Sequence, residues 1–340
     1  MSQPSSLVGR TRAPAVLLVI LAAFIMLVLL GIAFGSTWQP LDRVAAVLLG
    51  GGEKTERLIV LNLRMPRVAA AICAGGAMAV AGFLLQKVTR NALASPGVLG
   101  VIDGAALGVV VFLALAQLLG ISIVWQPLAA ASGALLAISL VFVVAGNQAA
   151  SPIRLLLFGI AVAAVFKALT IVFMLIGPIY QTSQAARWIA GAVNTANWGE
   201  VQITVLLLVP TLILTLLVAR HLPPADLDET SARSVGLDLP IFRIFVFVLA
   251  AALTAIAVAF VGAVGFVGLM APHLARLMVG RNVYAGMMGS FLLGALLLVG
   301  ADLLVRVVFN PIEIPAGTVT AVIGAPYFLF LLMRRSSNDG

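Results

Sequence analysis

The chain has 340 residues, 62% of them hydrophobic and only 9% charged, with a mean hydropathy of +1.18. No soluble domain of this length could hide so much apolar side chain, so the composition indicates an integral membrane protein. The net charge of +8 does not mark a nucleic-acid binder, because the basic residues sit singly at the ends of apolar runs and never cluster with interleaved aromatics.

Long unbroken apolar runs satisfy their backbone internally as helices, whereas barrel strands would alternate over roughly 10 residues. Such runs fall at about 13–35, 66–86, 97–119, 127–146, 154–177, 200–219, 243–262, a short one at 264–271, 284–305 and 316–333. The first follows Arg10 and Arg12 and has the look of a secretion signal, but it is long enough to span and lacks a small-x-small cleavage site. The expectation is a single domain of about ten transmembrane helices with both termini on one side. Placing the N-terminus in the cytoplasm puts twelve Lys and Arg residues inside and seven outside, with Lys167 left within a span.

Two connectors are unusually polar. The first, 36–62, holds Trp38, Asp42, Arg43, Glu53, Lys54, Glu56 and Arg57, and reads as a loop. The second, 220–242, holds a short helix that Asp226 or Asp228 can cap and that Gly236 can end in the left-handed conformation. That helix is either a docking element or a solvated connector. Gly100, Gly104 and Gly108, then Gly262, Gly265 and Gly268, form small-residue stripes that let helix backbones approach closely. The stretch 262–271 is too short to cross a bilayer, which predicts a half-length helix ending at Pro272, with His273 as a hydrogen-bonded residue of the following turn.

Nothing in the sequence supports chemistry on a substrate. There are two histidines, His221 and His273, one cysteine, Cys73, no HExxH and no phosphate-binding GxxxxGK loop. An intramembrane enzyme would need a Ser-His pair or a metal-ligand cluster, and a channel would need polar rings or a filter loop. No metal site and no catalytic residue is expected.

Seven stretches carry a resemblance. They are LRMPR (63–67), AGFLLQKVTRNALASPGVLGV (81–101), SPIRLLLFGIA (151–161), RWIAGAV (187–193), LDETSARSVGL (227–237), AVGFVGLMAPHLARLMVG (263–280) and ADLLVRVVFNPIEIPAGTVTAVIGAP (301–326). Together, in this order, they resemble the FecCD family of ABC importer permeases, which carry iron-siderophores, haem and cobalamin across the bacterial inner membrane. The resemblance implies an all-α polytopic membrane protein with the type II ABC importer permease fold. It also implies two permease subunits around one path, as a homodimer or heterodimer, with two cytoplasmic ATPase subunits and a periplasmic substrate-binding protein. ATP and Mg would be held by the ATPase, leaving no cofactor in this chain.

The same resemblance assigns residues. Leu227, Asp228, Glu229, Thr230, Ala232, Arg233 and Gly236 are expected to couple to the ATPase, and Arg64, Arg67 and Arg306 to dock acidic residues of the binding protein. Anchoring at the membrane edge is the simpler reading of those arginines. Lys167 and Asp103 are the candidates for the path. Each either pairs within a packed interface or, in the case of Lys167, faces the central cavity and helps pass an anionic ferric chelate. The function expected is therefore import of a ferric siderophore by alternating access, with haem or cobalamin as the alternative.

Overall fold

The computed structural model describes residues 8–35, 37–146, 151–224, 229–234 and 236–336, and regular structure among them is helical. The first apolar run forms α1 (Val8–Ala33). The polar connector after it is not a loop. It folds as α2 (Leu41–Leu48), α3 (Lys54–Arg57) and a π-helical stretch, Leu58–Arg64, that runs directly into α4 (Met65–Val88). A capping box starts this rod, with the Glu53 backbone N–H donating to Glu56 Oε2 at 3.0 Å. At 35 residues, Lys54–Val88 exceeds the roughly 20 that cross a bilayer, so one end of it projects.

The remaining apolar runs form α5 (Val101–Leu119), α6 (Gln126–Ala145), α7 (Pro152–Ile176), α9 (Trp198–Ala219), α11 (Leu239–Val261), α12 (Val267–Val279), α13 (Val283–Val308) and α14 (Ala316–Ser336). Two polar helices lie between them, α8 (Ile179–Ile189) and α10 (Glu229–Ser234). Among the described residues, seven helical stretches are long and apolar enough to cross a membrane, and three shorter apolar helices accompany them at 101–116, 267–279 and 316–329.

The hub is α4, whose most apolar window is 89% buried, against 17% for the first span. It packs against α13, α11, α12 and α9. Small side chains make this possible. A Cβ on Gly75 would stand 2.4 Å from the Gly294 carbonyl oxygen, and one on Gly82 would stand 1.7 Å from that of Gly268. A second group, α5 to α7, closes in the same way. There the Gly104 and Gly108 stripe lies against Gly133 and Ala129 of α6.

Two helices begin late, and both starts are held by protein. α5 is preceded by a 3₁₀ turn at Pro96–Leu99, and a Cβ at Gly100 would lie 3.2 Å from the Gly159 carbonyl oxygen, part-way along α7. Ahead of α12, residues 262–266 are non-helical, with Gly262 and Phe266 in the left-handed region (φ +77° and +63°). This corrects the half-helix expectation. The helix starts at Val267 and runs through Pro272 to Val279, so His273 lies within it, 3.1 Å from Arg276 Nη2 through Nδ1. Pro272 cannot donate to Gly268, and the carbonyl it leaves open faces Gly82 of α4 instead. Thr320 Oγ1 of α14 lies 3.1 Å from the Gly265 carbonyl oxygen and 2.8 Å from that of Gly317, so its one proton is shared between the break and its own helix.

The packing at Gly82 generates a prediction. Gly82→Ala should cost at least about 1–3 kcal/mol and lower the yield of folded, membrane-inserted protein. Gly265→Ala, where a Cβ meets nothing within 4 Å, should behave as wild type. Equal yields from the two variants would refute this account of the α4–α12 contact.

Candidate functional site

At the end of the bundle where α1 stops, three arginines gather around one acid. The 26-residue α1 has no basic residue in its last turn, so its terminal carbonyls need donors from elsewhere. Arg64, at the end of the π-helical stretch, supplies them. Its Nη1 donates to the Ile32 and Ala33 carbonyls at 2.9 and 2.6 Å, and its Nη2 donates to the Thr37 carbonyl and, at 3.2 Å, to Thr37 Oγ1. Arg306 of α13 donates through Nη1 to the Phe34 carbonyl at 3.2 Å. Glycine at position 35 leaves the room, since a Cβ there would stand 2.9 Å from Arg64 Nη2.

Asp302 ties the other two arginines together. Arg67 meets it side-on, with Nε 2.8 Å and Nη2 2.7 Å from Oδ1, while Arg306 Nε stands 3.0 Å from Oδ2. The Asp302 side chain is 2% exposed, and those of Arg67 and Arg306 are 14% and 9% exposed. Three cations against one carboxylate leave the cluster with two excess positive charges. Arg306 Nη2 is buried without a hydrogen-bond partner among the described residues. Asp302 was not singled out from the sequence, although an acid four residues before an arginine in an apolar helix is a readable signal.

The expected docking arginines are therefore together in space but already engaged within the chain. Arg64, a buried residue, spends both terminal nitrogens on main-chain acceptors and offers no surface for direct contact.

Lys167 and Asp103 also come into one neighbourhood. Asp103, half-buried in the first turn of α5, lies within electrostatic reach of Lys167. The late start of α5 against the middle of α7 is what brings them to one depth. Lys167 is exposed on a flank of α7 that also shows Ile160 and Ile171.

Of the expected coupling residues, Leu227 and Asp228 lie outside the described residues. Glu229, Thr230, Ala232 and Arg233 form α10, with Ala232 buried. Gly236 takes φ +82°, and the Leu237 N–H donates to the Ala232 carbonyl at 2.9 Å, which is the left-handed helix stop that the sequence predicts.

One element went unread. The connector 178–199 holds α8, and its Gln181, Thr182, Ser183, Gln184 and Arg187 hid it from hydropathy. With Tyr180, Gln184, Arg187, Trp188, Asn194 and Glu313, this region lines a polar cavity of about 290 Å³, where Asn194 Nδ2 donates to Glu313 Oε2 at 2.7 Å.

Residues 11–334 match the FecCD transport family. The chain belongs to that family. Among its FecCD relatives, a probable siderophore transport system permease of Bacillus subtilis is 39% identical, aligned over 95% of each chain. The achromobactin transport system permease of Dickeya dadantii is 37% identical over 95% of this chain and 91% of its own. The hemin transport system permease of Yersinia pestis is 36% identical over 82% and 84%. Among solved structures, a metal-chelate type ABC transporter in an inward-facing conformation superposes with a TM-score of 0.85. It covers 94% of this chain and 99% of its own, at 25% identity. The FecCD chain is thus a multi-pass membrane permease.

Removing the shared acid should show what the cluster holds. Asp302→Asn leaves buried like charges facing one another, so it should cost about 3–5 kcal/mol and lower the melting temperature of the purified permease. Arg64→Ala should also lower it, by about 1–3 kcal/mol, through orphaned α1 carbonyls. Unchanged melting in both variants would remove the structural role.

Proposed function

We propose that this FecCD permease is one half of the membrane path of an ATP-driven importer that moves a ferric siderophore from the periplasm to the cytoplasm. The observation that carries the reading is Lys167, exposed on an otherwise apolar flank of α7 with Asp103 of α5 in electrostatic reach. A charged side chain at membrane depth costs a few kcal/mol against lipid, so that flank calls for water or a partner subunit. A second permease, identical or a sister chain, facing this one across the path would meet the requirement. Lys167 then attracts anionic ferric chelates, in keeping with what the Bacillus and Dickeya relatives are named for.

The arginine cluster supports a docking role at the periplasmic mouth. Its excess charge steers an acidic binding protein toward this end of the bundle. Arg67 and Arg306 make that contact, while Arg64 contributes through its field. At the opposite end, the 220–242 segment with α10 engages two ATPase subunits that bind ATP and Mg and hydrolyse the nucleotide. The chain sits in the bacterial inner membrane with both termini in the cytoplasm, in accord with the distribution of its basic residues. Two bundle arrangements of similar energy, biased from either end, suffice for alternating access.

Radioiron uptake in a deletion strain, across a panel of chelates that includes haem, tests the substrate. Siderophore iron should be restored by the wild-type gene, and restoration by haem alone would replace this reading with the haem one. Lys167→Ala should reduce uptake about tenfold with normal insertion, the equivalent of one lost charge contact. Full uptake would take Lys167 off the path. Replacing Asp228 and Glu229 with Ala should abolish co-purification of the ATPase, and retained binding would count against the coupling assignment.

A further inference from the structure

The apolar outer surface of α1 does not stop where the span stops. Along one side of that helix Leu18, Val19, Ile25, Met26 and Leu29 are exposed. α1 packs on α13, α12 and α4, whereas α7, the flank proposed to meet a second permease, packs on α5 and α6. The open side of α1 therefore faces hydrocarbon.

The surface continues through the turn that follows. Phe34 and Trp38 stack with ring centroids 6.3 Å apart, and Trp38 is 66% exposed. The Gln39 N–H donates back to the Ala33 carbonyl at 3.0 Å, and Arg64 holds the carbonyls of Ala33 and Thr37. The chain is thus folded back, and α2 starts beside the end of α1 and not beyond it.

α2 divides its circumference three ways. At about 100° per residue, Val44 and Val47 share one sector, and both are buried against the bundle. Asp42 and Arg43 hold a second, where Arg43 Nη1 donates to Glu56 Oε1 at 2.8 Å. The third holds Leu41, Ala45 and Leu48, with Leu49 at its edge. Leu41, Leu48 and Leu49 are 53%, 48% and 88% exposed. The helix stops there, with Gly50 at φ +91° and the Gly51 N–H donating to the Ala46 carbonyl at 2.8 Å.

Two of these sectors have their natural surroundings, protein and water. The third is apolar and uncovered, which calls for a further surface. It carries no charge, so an acidic partner steered by the arginine cluster would find nothing to pair with on it. Through Trp38 and Phe34 it runs into the lipid side of α1, and tryptophan at the end of a span is a residue of the membrane–water interface.

We propose that α2 is an interfacial anchor, lying in the headgroup region of the bilayer at the arginine-cluster end. Leu41, Ala45 and Leu48 enter the acyl boundary, Asp42 and Arg43 stay in water, and Val44 and Val47 hold the bundle. Because α2 also packs on α3 and the π-helical stretch, the anchor references the height of the rod that carries Arg64 to the membrane surface. Naming that leaflet periplasmic rests on the orientation proposed above, but the insertion itself does not.

The test uses full-length permease in vesicles of phosphatidylethanolamine and phosphatidylglycerol, with single cysteines on a Cys73→Ala background carrying an environment-sensitive fluorophore. Labels at Ala45→Cys and Leu48→Cys should be quenched by lipid bearing a nitroxide near its glycerol, as for groups about 5–10 Å into the interface, and shielded from aqueous iodide. Labels at Asp42→Cys and Lys54→Cys should show the reverse. Trp38→Cys, expected to behave as Leu48→Cys does, serves if either of the first pair fails to fold. Equal iodide access at every position would overturn the proposal. Shielding without quenching by lipid, in permease alone, would overturn it and give the face to a second copy of the chain. Shielding that needs added binding protein would overturn it in favour of that protein. Siderophore uptake is read separately, so failure here leaves the transport reading standing.

Discussion

The constraint that organises this permease is that no charge or open carbonyl can be left to hydrocarbon. Asp302 shows it most fully. It joins Arg67 of α4 to Arg306 of α13, and the first of those pairs spans 235 positions of sequence. Through Arg64 and Arg306 the same cluster closes the carbonyl end of α1, a helix without a basic residue of its own there. Three spans are thereby fixed at one end by groups that would each be expensive alone.

The same constraint governs the breaks. Non-helical backbone before α5 and α12 survives because neighbouring helices accept it, through small residues at Gly159 and Gly82 and a donor at Thr320. The break before α5 places Asp103 in the first turn of a helix that starts against α7, within electrostatic reach of Lys167. The small side chains that let helices touch also permit the interruptions that place charge at membrane depth.

Much of this was legible beforehand. The ten apolar runs emerged as helices, and Gly236 stops α10 as its residue type requires. Polar stretches were read less well. Residues 41–48, 54–64 and 179–189 are helical although a hydropathy reading passes over them, because they are short and polar; the helical spacing of buried Val44 and Val47 in α2, and of Gln181 and Ala185 in α8, was the signal that could have found them. Pro272 looked like a terminus but sits inside α12. A proline inside a helix displaces the carbonyl four residues before it, and here the missing side chain of Gly82 leaves room for that carbonyl.

Composition and periodicity alone established a polytopic helical membrane protein, since apolar runs of that length admit no other hydrogen-bonded form. The motif residues pointed to the family, and their types marked Arg64, Arg67, Arg306, Lys167 and Asp103 as costly and therefore purposeful. Only the tertiary structure decided who answers each of those charges. Burial and pairing depend on distances between segments far apart along the chain, and no local pattern encodes them. That is why the three arginines expected to dock a partner are also seen to clasp α1, α4 and α13.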